Sequence, residues 1–410
     1  MAEHIDVVII GAGQAGLSMS YYLTQMERKH FVLEQASDLI PTWRNRWDTF
    51  TLVLPNWTVQ MPGFVYSGDE PNGFMDRGEL VEYMEQYAAS IEPEIRFGWK
   101  VESVESNPDG DGFLLKTSEG DIEADNVVVA AGTFQQPKIP SFSSRFSEEI
   151  TQIHTNDYRN PKTLPDGAVL VVGTGQSGCQ IAEELYQSGR KVFLCVGGAT
   201  PIPRRYRGKD IIWWLGETGF FDQTVDTLPS SKARFAANPF VSGKDGGHSL
   251  NLHKFARDGV TLLGHLKSVQ DKRITLAPDL HENLAKGDQF IADLKRSIDK
   301  LIKEREIEAE EDAGKPGLKD GYKAEIIEEL DLDAEGISTV VWATGYRFDY
   351  SWIKFPLLDQ DNYPVQKLGV TETPGIYFVG LNWAYRRKSG LLWGVGEIAA
   401  NVAEDIASRT

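Results

Sequence analysis

Two strand–glycine-turn–helix units, one at the start of the chain and one in its middle, predict an α/β fold. The layout reads as two Rossmann-like dinucleotide-binding domains, the second inserted into the first. Three observations carry this. Ile5–Ile10 leads into Gly11-Ala-Gly-Gln-Ala-Gly16. Val169–Val172 leads into Gly173-Thr-Gly-Gln-Ser-Gly178. Three further apolar runs, Val127–Gly132, Val340–Gly345 and Ile376–Gly380, also end in glycine.

Ile5-Asp-Val-Val-Ile-Ile10 is short, apolar and β-branched. That suits a strand buried on both faces of a parallel sheet. After the glycine turn, a helix is expected from Leu17 to about Met26 and a strand at Phe31–Glu34. The second unit repeats the pattern, with a helix from Cys179 to Gln187 and a strand at Lys191–Val196. Pro161, Pro165 and Gly167 punctuate its approach, which places a boundary near residue 162. Apolar residues at 290, 291, 294, 298, 301 and 302 mark one face of a helix. A helix near Glu397–Ile406 closes the chain. The first domain is expected over 1–161 and 336–410, and the second over 162–335.

The 410 residues suffice for two or three domains at ~100–200 residues each. Asp and Glu number 60 against 42 Lys and Arg, a net charge of −18. Such a surface repels phosphate backbones, so no nucleic-acid partner is expected. Cys179 and Cys195 are the 2 cysteines. They exclude a disulfide-stapled fold and a four-cysteine metal site, and no other metal constellation stands out. No apolar run reaches ~18 residues, so no membrane span is expected. A strand beginning by Ile5 leaves no room for a signal peptide. A cytoplasmic protein is the expectation, with a homodimer as a fair default.

In G-x-G-x-x-G, the first glycine permits the tight turn and the second lets a pyrophosphate approach. The third lets helix and strand pack closely. The phosphates then meet the N–H groups at the positive end of the helix. Gly11, Gly13, Gln14, Ala15 and Gly16 are therefore cofactor candidates, as are Gly173, Gly175, Gln176, Ser177 and Gly178. Glu34, with Gln35 beside it, ends the next strand, where a carboxylate accepts from ribose hydroxyls. The same offset in the second unit gives Val196, no acid to repel a 2′-phosphate. Arg204, Arg205, Arg207 and Lys209 follow. Guanidinium groups match phosphate geometry, so Arg204 and Arg205 are expected to favour NADPH over NADH. The alternative is a solvated basic loop, above all for Arg207 and Lys209. Two dinucleotide sites with Glu34 at the first make FAD plus a nicotinamide cofactor the economical pairing. Hydride then passes from nicotinamide to flavin.

A disulfide reductase needs a paired dithiol. Cys179 and Cys195 form no C-x-x-C pair and read as buried structural thiols. Reaction with oxygen needs only a dry, shielded ring. Several segments carry a resemblance over most of the chain: Gly11–Gly16, Thr42-Trp-Arg-Asn-Arg-Trp47, Leu54-Pro-Asn56, Gln152–Tyr158, Gly173–Gly178, Ala343-Thr-Gly345 and Tyr377–Leu381. On these the sequence resembles the flavin-containing and N-hydroxylating monooxygenases, a group that includes Baeyer–Villiger enzymes. It is most similar to the bacterial CzcO-like and YUCCA-like flavoproteins. His154 and Tyr158 match the second half of the family's linker signature, F-x-G-x-x-x-H-x-x-x-(Y/W). Its Phe and Gly positions fall on Glu148 and Ile150, so the first half is absent. Gly380-Leu381 replaces the Gly-Asp of many two-dinucleotide flavoproteins, a departure that the flavin-containing monooxygenases share.

The resemblance implies a reaction. NADPH reduces FAD, O2 forms a C4a-(hydro)peroxyflavin, and NADP+ stays bound to shield it. One oxygen then passes to a small soft nucleophile or carbonyl: an amine, sulfide, ketone or keto acid. The resemblance also implies cofactor contacts from Trp43, Arg44, Trp47, Val101, Ala131, Gly132, Gly345, Gly380 and Leu381. Trp43 and Trp47 pack either on the flavin or in the core. Asn56 falls where the family places a catalytic amide; a turn residue after Pro55 is the alternative. His248 reads as a substrate neighbour or a solvated loop residue, and Trp213, Trp214, Phe220 and Phe221 as a substrate tunnel or plain packing. The competing functions are a flavoprotein reductase or oxidase, and a non-catalytic FAD-binding redox module.

Overall fold

The computed structural model describes residues 3–409 except 109, 199, 313, 315 and 316. Apolar, β-branched segments ahead of each glycine turn become the central strands of two sheets. In the first, β1 (Glu3–Ile10) enters α1 (Gln14–Gln25) and returns as β2 (His30–Glu34). Val7, Val8 and Ile9 expose no surface, as a strand covered on both faces requires. α2 (Arg77–Ile91) follows, then β3 (Ile95–Phe97), β4 (Val101–Ser106), β5 (Phe113–Thr117) and β6 (Gly120–Val129). The order is β3-β2-β1-β6-β5-β4. β6 runs parallel to β1 along one edge. Its other edge pairs antiparallel with β5 and then parallel with Ile376–Phe378.

The second sheet holds β7 (Thr151–His154), β8 (Ala168–Val172), β9 (Val192–Cys195), β10 (Thr261–Leu263) and β11 (Ile337–Trp342). The order is β7-β11-β8-β9-β10, all parallel. The second turn opens α3 (Gln176–Gln187) between β8 and β9. This arrangement moves both domain boundaries from those the sequence suggests. β7 precedes residue 162 and β11 follows 335, yet both pair into the second sheet. The proline punctuation marks a 3-10 turn, Pro161–Thr163, lying between two strands of that sheet.

The chain therefore crosses between the sheets twice, and the crossings pair with each other. Gln136–Pro137 runs antiparallel to Tyr346–Arg347, and the Lys138 N–H donates to Gly345 O at 2.9 Å.

The expected amphipathic helix is α4 (Leu280–Arg305). Its Ile298 is fully buried, and Phe290, Leu294, Leu301 and Ile302 pack around Trp214, Ile211 and Phe221. Trp57 and Trp393 join this cluster, so part of the second domain's aromatic insert packs on the first domain. α5 (Val395–Ser408) packs against α1. Among the described residues, no helix is long and apolar enough to cross a membrane.

Candidate functional site

The two turns are geometric copies. Gly11 and Gly173 have φ of +110° and +112°, the left-handed region that favours glycine. A Cβ on either would lie 2.6 Å from a carbonyl oxygen, of Ala130 or of Ala343. A Cβ on Gly16 would lie 1.9 Å from Gly11 O, and one on Gly178 2.0 Å from Gly173 O. The middle glycines differ in kind: Gly13 and Gly175 have nothing within 4 Å. Each turn thus leaves an open face just ahead of a helix whose first N–H groups carry no side-chain cap. A pyrophosphate fits that cradle sterically and electrostatically. The two cradles fit the pyrophosphates of two dinucleotides, FAD and NADPH.

The neighbouring side chains hold these cradles. Glu34 accepts from the Ala12 and Ala36 N–H groups at 2.9 Å each, fixing the turn to the end of β2. Trp99 donates to Glu34 O, which brings the start of β4, with Val101, beside Glu34 and Gln35. Gln14 donates to Gly390 O at 2.8 Å. Gln176 bonds the Val241 backbone through both amide atoms, and Ser177 follows it in α3. Gly380 packs on Ala15, where a Cβ would lie 2.6 Å from the alanine methyl; Leu381 beside it is buried. Ala131-Gly132 and Gly345 follow β6 and β11, and both glycines have positive φ with open space beside them.

The Trp-Arg segment packs mainly on itself. Trp47 is buried edge-on against Phe50 at 5.2 Å, with Trp43 tilted against the same ring. Arg44 pairs with Glu85 at 2.6 Å, yet its Nε is buried without a partner. Arg46, not singled out from the sequence, shows the same orphaned Nε. Its guanidinium lies 4.7 Å from the Phe134 ring, and burial lowers its pKa. Such atoms fit a site completed by a bound cofactor. The sequence signal was the second arginine of Trp-Arg-Asn-Arg-Trp.

Asn56 is buried, and its amide is engaged with backbone. Nδ2 donates to Glu70 O at 3.0 Å and Oδ1 accepts from the Met75 N–H at 2.8 Å. It therefore clamps the loop from Glu70 to Met75. One amide hydrogen and one oxygen lone pair remain for another partner.

Arg204 is held in an internal network. It is 2% exposed and forms a bidentate pair with Asp210 at 2.7 and 2.6 Å. It also donates to Val53 O at 2.8 Å and stacks on Phe74 at 4.3 Å. These partners flank Asn56 in the first domain. The cation is spent on an internal pair, which sequence spacing could not reveal. Arg205 bonds Gly246 O and Gly247 O at 3.2 Å each, and Arg207 pairs with Asp299.

The singled-out histidines and cysteines all have defined surroundings. His154 accepts the Asn156 N–H at Nδ1 and donates from Nε2 to Gly345 O at 3.0 Å, so it orients the second crossing. Burial holds its imidazole below the usual histidine range. Tyr158 donates to Glu184 at 2.7 Å. His248 bonds Glu183 at 2.8 Å, which raises its pKa. Cys179 and Cys195 are free and buried; burial pushes the Cys195 thiol up to about 12.

Residues 8–209 match the family model described as pyridine nucleotide-disulphide oxidoreductase. The uncharacterized CzcO-like oxidoreductase of Geobacillus kaustophilus is 33% identical over 411 residues, covering 100% of both chains. Indole-3-pyruvate monooxygenase YUCCA1 of Oryza sativa is 26% identical, covering 97% of this chain and 90% of that one. The flavin-containing monooxygenase from Stenotrophomonas maltophilia superposes with a TM-score of 0.67 at 18% identity, covering 99% of each chain. With two dinucleotide cradles and full-length likeness to such proteins, the chain belongs to the CzcO-like oxidoreductases, within the wider flavin-containing monooxygenase group.

Proposed function

We propose that this chain is an NADPH-dependent FAD monooxygenase that places one oxygen atom of O2 on a small soft nucleophile or carbonyl. The observation that carries this is the pair of matching cradles, each with an open middle glycine, in one chain whose crossings are tied together. Bound FAD supplies the redox relay between NADPH and O2. The chain's own residues bind and orient. Gly13 and Gly175 admit the pyrophosphates, Glu34 fixes the first turn, His154 fixes Gly345, and Asn56 holds the loop that faces Arg204. In the aromatic cluster, Trp393 meets Trp57 edge-to-face at 5.0 Å and Phe221 at a tilt at 5.1 Å, which excludes water where the two domains meet, as oxygen chemistry requires.

Among the substrate classes, the YUCCA1 relative adds weight to a keto acid, and the wider group to amines, sulfides and ketones. The deeply buried thiols speak against a dithiol relay and fit a reducing, cytoplasmic setting. A homodimer is expected, and sedimentation equilibrium tests it.

The deciding experiment incubates FAD-loaded protein with NADPH, 18O2 and one member of each substrate class. The expected result is 18O in one product, with little hydrogen peroxide released. NADPH that fails to bleach the flavin sinks every redox reading. Complete conversion of O2 to peroxide with all classes refutes the monooxygenase and supports an oxidase.

A further inference from the structure

The second turn has no side chain of its own at the place where an adenosine ribose is met. β9 ends at Cys195, and Val196, Gly197 and Gly198 follow. The Gly197 N–H donates to Thr174 Oγ1 at 3.0 Å. Thr174 lies between the first two turn glycines, so the end of β9 is tied to the cradle. In this class of fold, the residue ending the second strand lies beside the ribose 2′ position. The cations that follow point elsewhere: Arg204 to Asp210, Arg205 to Gly246 and Gly247, Arg207 to Asp299.

An imidazole fills the gap instead. β10, the neighbour of β9, is followed by Gly264 and His265. A Cβ on Gly197 would lie 3.1 Å from His265 Nε2, so this ring takes the side-chain space that Gly197 leaves. Its other nitrogen is held: Nδ1 bonds Asp279 Oδ2 at 2.5 Å. Asp279 Oδ1 accepts the His265 backbone N–H at 3.0 Å. A Cβ on Gly264 would lie 2.6 Å from that same oxygen, so glycine there lets the carboxylate close on the backbone. Asn283 of α4 lies 3.3 Å from Nδ1 and donates to Val196 O at 3.1 Å. The ring stays open to solvent, its side chain 53% exposed.

We propose that His265, held by Asp279, reads the 2′ position of the nicotinamide nucleotide and selects a phosphate there. This rests on NADPH occupying the second turn. With Nδ1–H committed to Asp279, Nε2 faces the ribose end. A protonated Nε2 donates a charge-assisted hydrogen bond to a 2′-phosphate. A neutral Nε2 accepts from a 2′-hydroxyl. The groups facing the ring are Asp279 from the loop before α4, the neutral Asn283 amide from α4, and Gly197 from the end of β9. The Cys195 thiol, which senses the Asp279 charge, stays protonated in its burial. Burial works to raise the Asp279 carboxyl, but the bonds from His265 hold it below the usual range, so it stays an anion beside Nδ1.

The test is calorimetric titration of the FAD-loaded protein with 2′,5′-ADP and with 5′-AMP. It is run at about pH 7.5, above the second phosphate pKa near 6. Wild type is expected to prefer 2′,5′-ADP. His265→Ala should weaken 2′,5′-ADP about tenfold or more and leave 5′-AMP within about twofold. His265→Arg should keep the preference; its retained FAD content shows the fold intact. Equal weakening of both ligands by His265→Ala, or an unchanged ratio, overturns the assignment. Wild type that binds 2′,5′-ADP with no role for His265 leaves the NADPH reading standing. Wild type that binds neither ligand takes nucleotide away from the second turn altogether, and this inference falls with it.

Discussion

Arg204→Ala separates an internal ion pair from a cofactor contact. The guanidinium is buried and gives two charge-assisted bonds to Asp210, a third to Val53 O, and a face to the Phe74 ring. Removing one member of a buried pair strands the other, at about 3–5 kcal/mol. The lower end applies, because Asp210 also accepts the Ile212 N–H at 2.8 Å as cap of the Ile211–Glu217 helix and its side chain is 15% exposed. About 3 kcal/mol corresponds to a Tm fall of roughly 6–12 °C for a domain of this size. Thermal unfolding by circular dichroism measures it. Asp210→Asn in the Arg204→Ala background should add little, since the pair is already broken. NADPH and NADH affinities should shift together. A Tm change under about 2 °C with a selective loss of NADPH affinity refutes the reasoning and returns Arg204 to the phosphate.

Other outcomes follow from the same geometry. Gly13→Ala meets nothing in the protein, so apoprotein stability should hold while FAD affinity falls at least about tenfold; flavin release on dilution reports it. Gly178→Ala forces a Cβ to 2.0 Å from Gly173 O, so it should destabilise the second domain by several kcal/mol in urea, ~3 or more. His154 has a lowered pKa, so its contribution is present above about pH 6.5 and is lost as pH falls through the folded value. His248 is raised, so its contribution is present below about pH 6.5 and is lost as pH climbs through the folded value. Urea midpoints from pH 5.5 to 8.5 should show His154→Gln flattening the acid side and His248→Gln the alkaline side. A Cys179→Ala, Cys195→Ala double variant should keep NADPH-driven flavin reduction within about twofold; abolition of turnover with intact flavin contradicts the thiols' bystander role.

The strands and turns were legible because their causes are local. A β-branched run ahead of G-x-G-x-x-G specifies strand, left-handed glycine and helix start within about 20 residues, and both units formed with ends shifted by one to three residues. The domain boundaries were not legible, because strand pairing is long-range. Thr151–His154 is a short strand with no strong pattern, and its partner lies near residue 340. The site divided the same way. Glu34 was readable because its offset from the turn is fixed by a βαβ unit. The pairing of Arg204 was not legible, because spacing shows a cation but not which nearby carboxylate folds against it. His265 gave no signal at all: its neighbour is a glycine just past the end of the adjacent strand, and an absent side chain draws no notice in a sequence.

The paired crossings make a double tether between the two sheets. A single tether lets a domain swivel in any direction. Two tethers zipped by the Gln136–Pro137 and Tyr346–Arg347 pairing, with His154 pinning Gly345 from the side, resist shear and twist together. The two cradles are thus joined through a short splice of backbone pairing as well as through the side chains that cross between the domains. A change that unzips this ribbon would loosen one sheet against the other without touching either glycine turn.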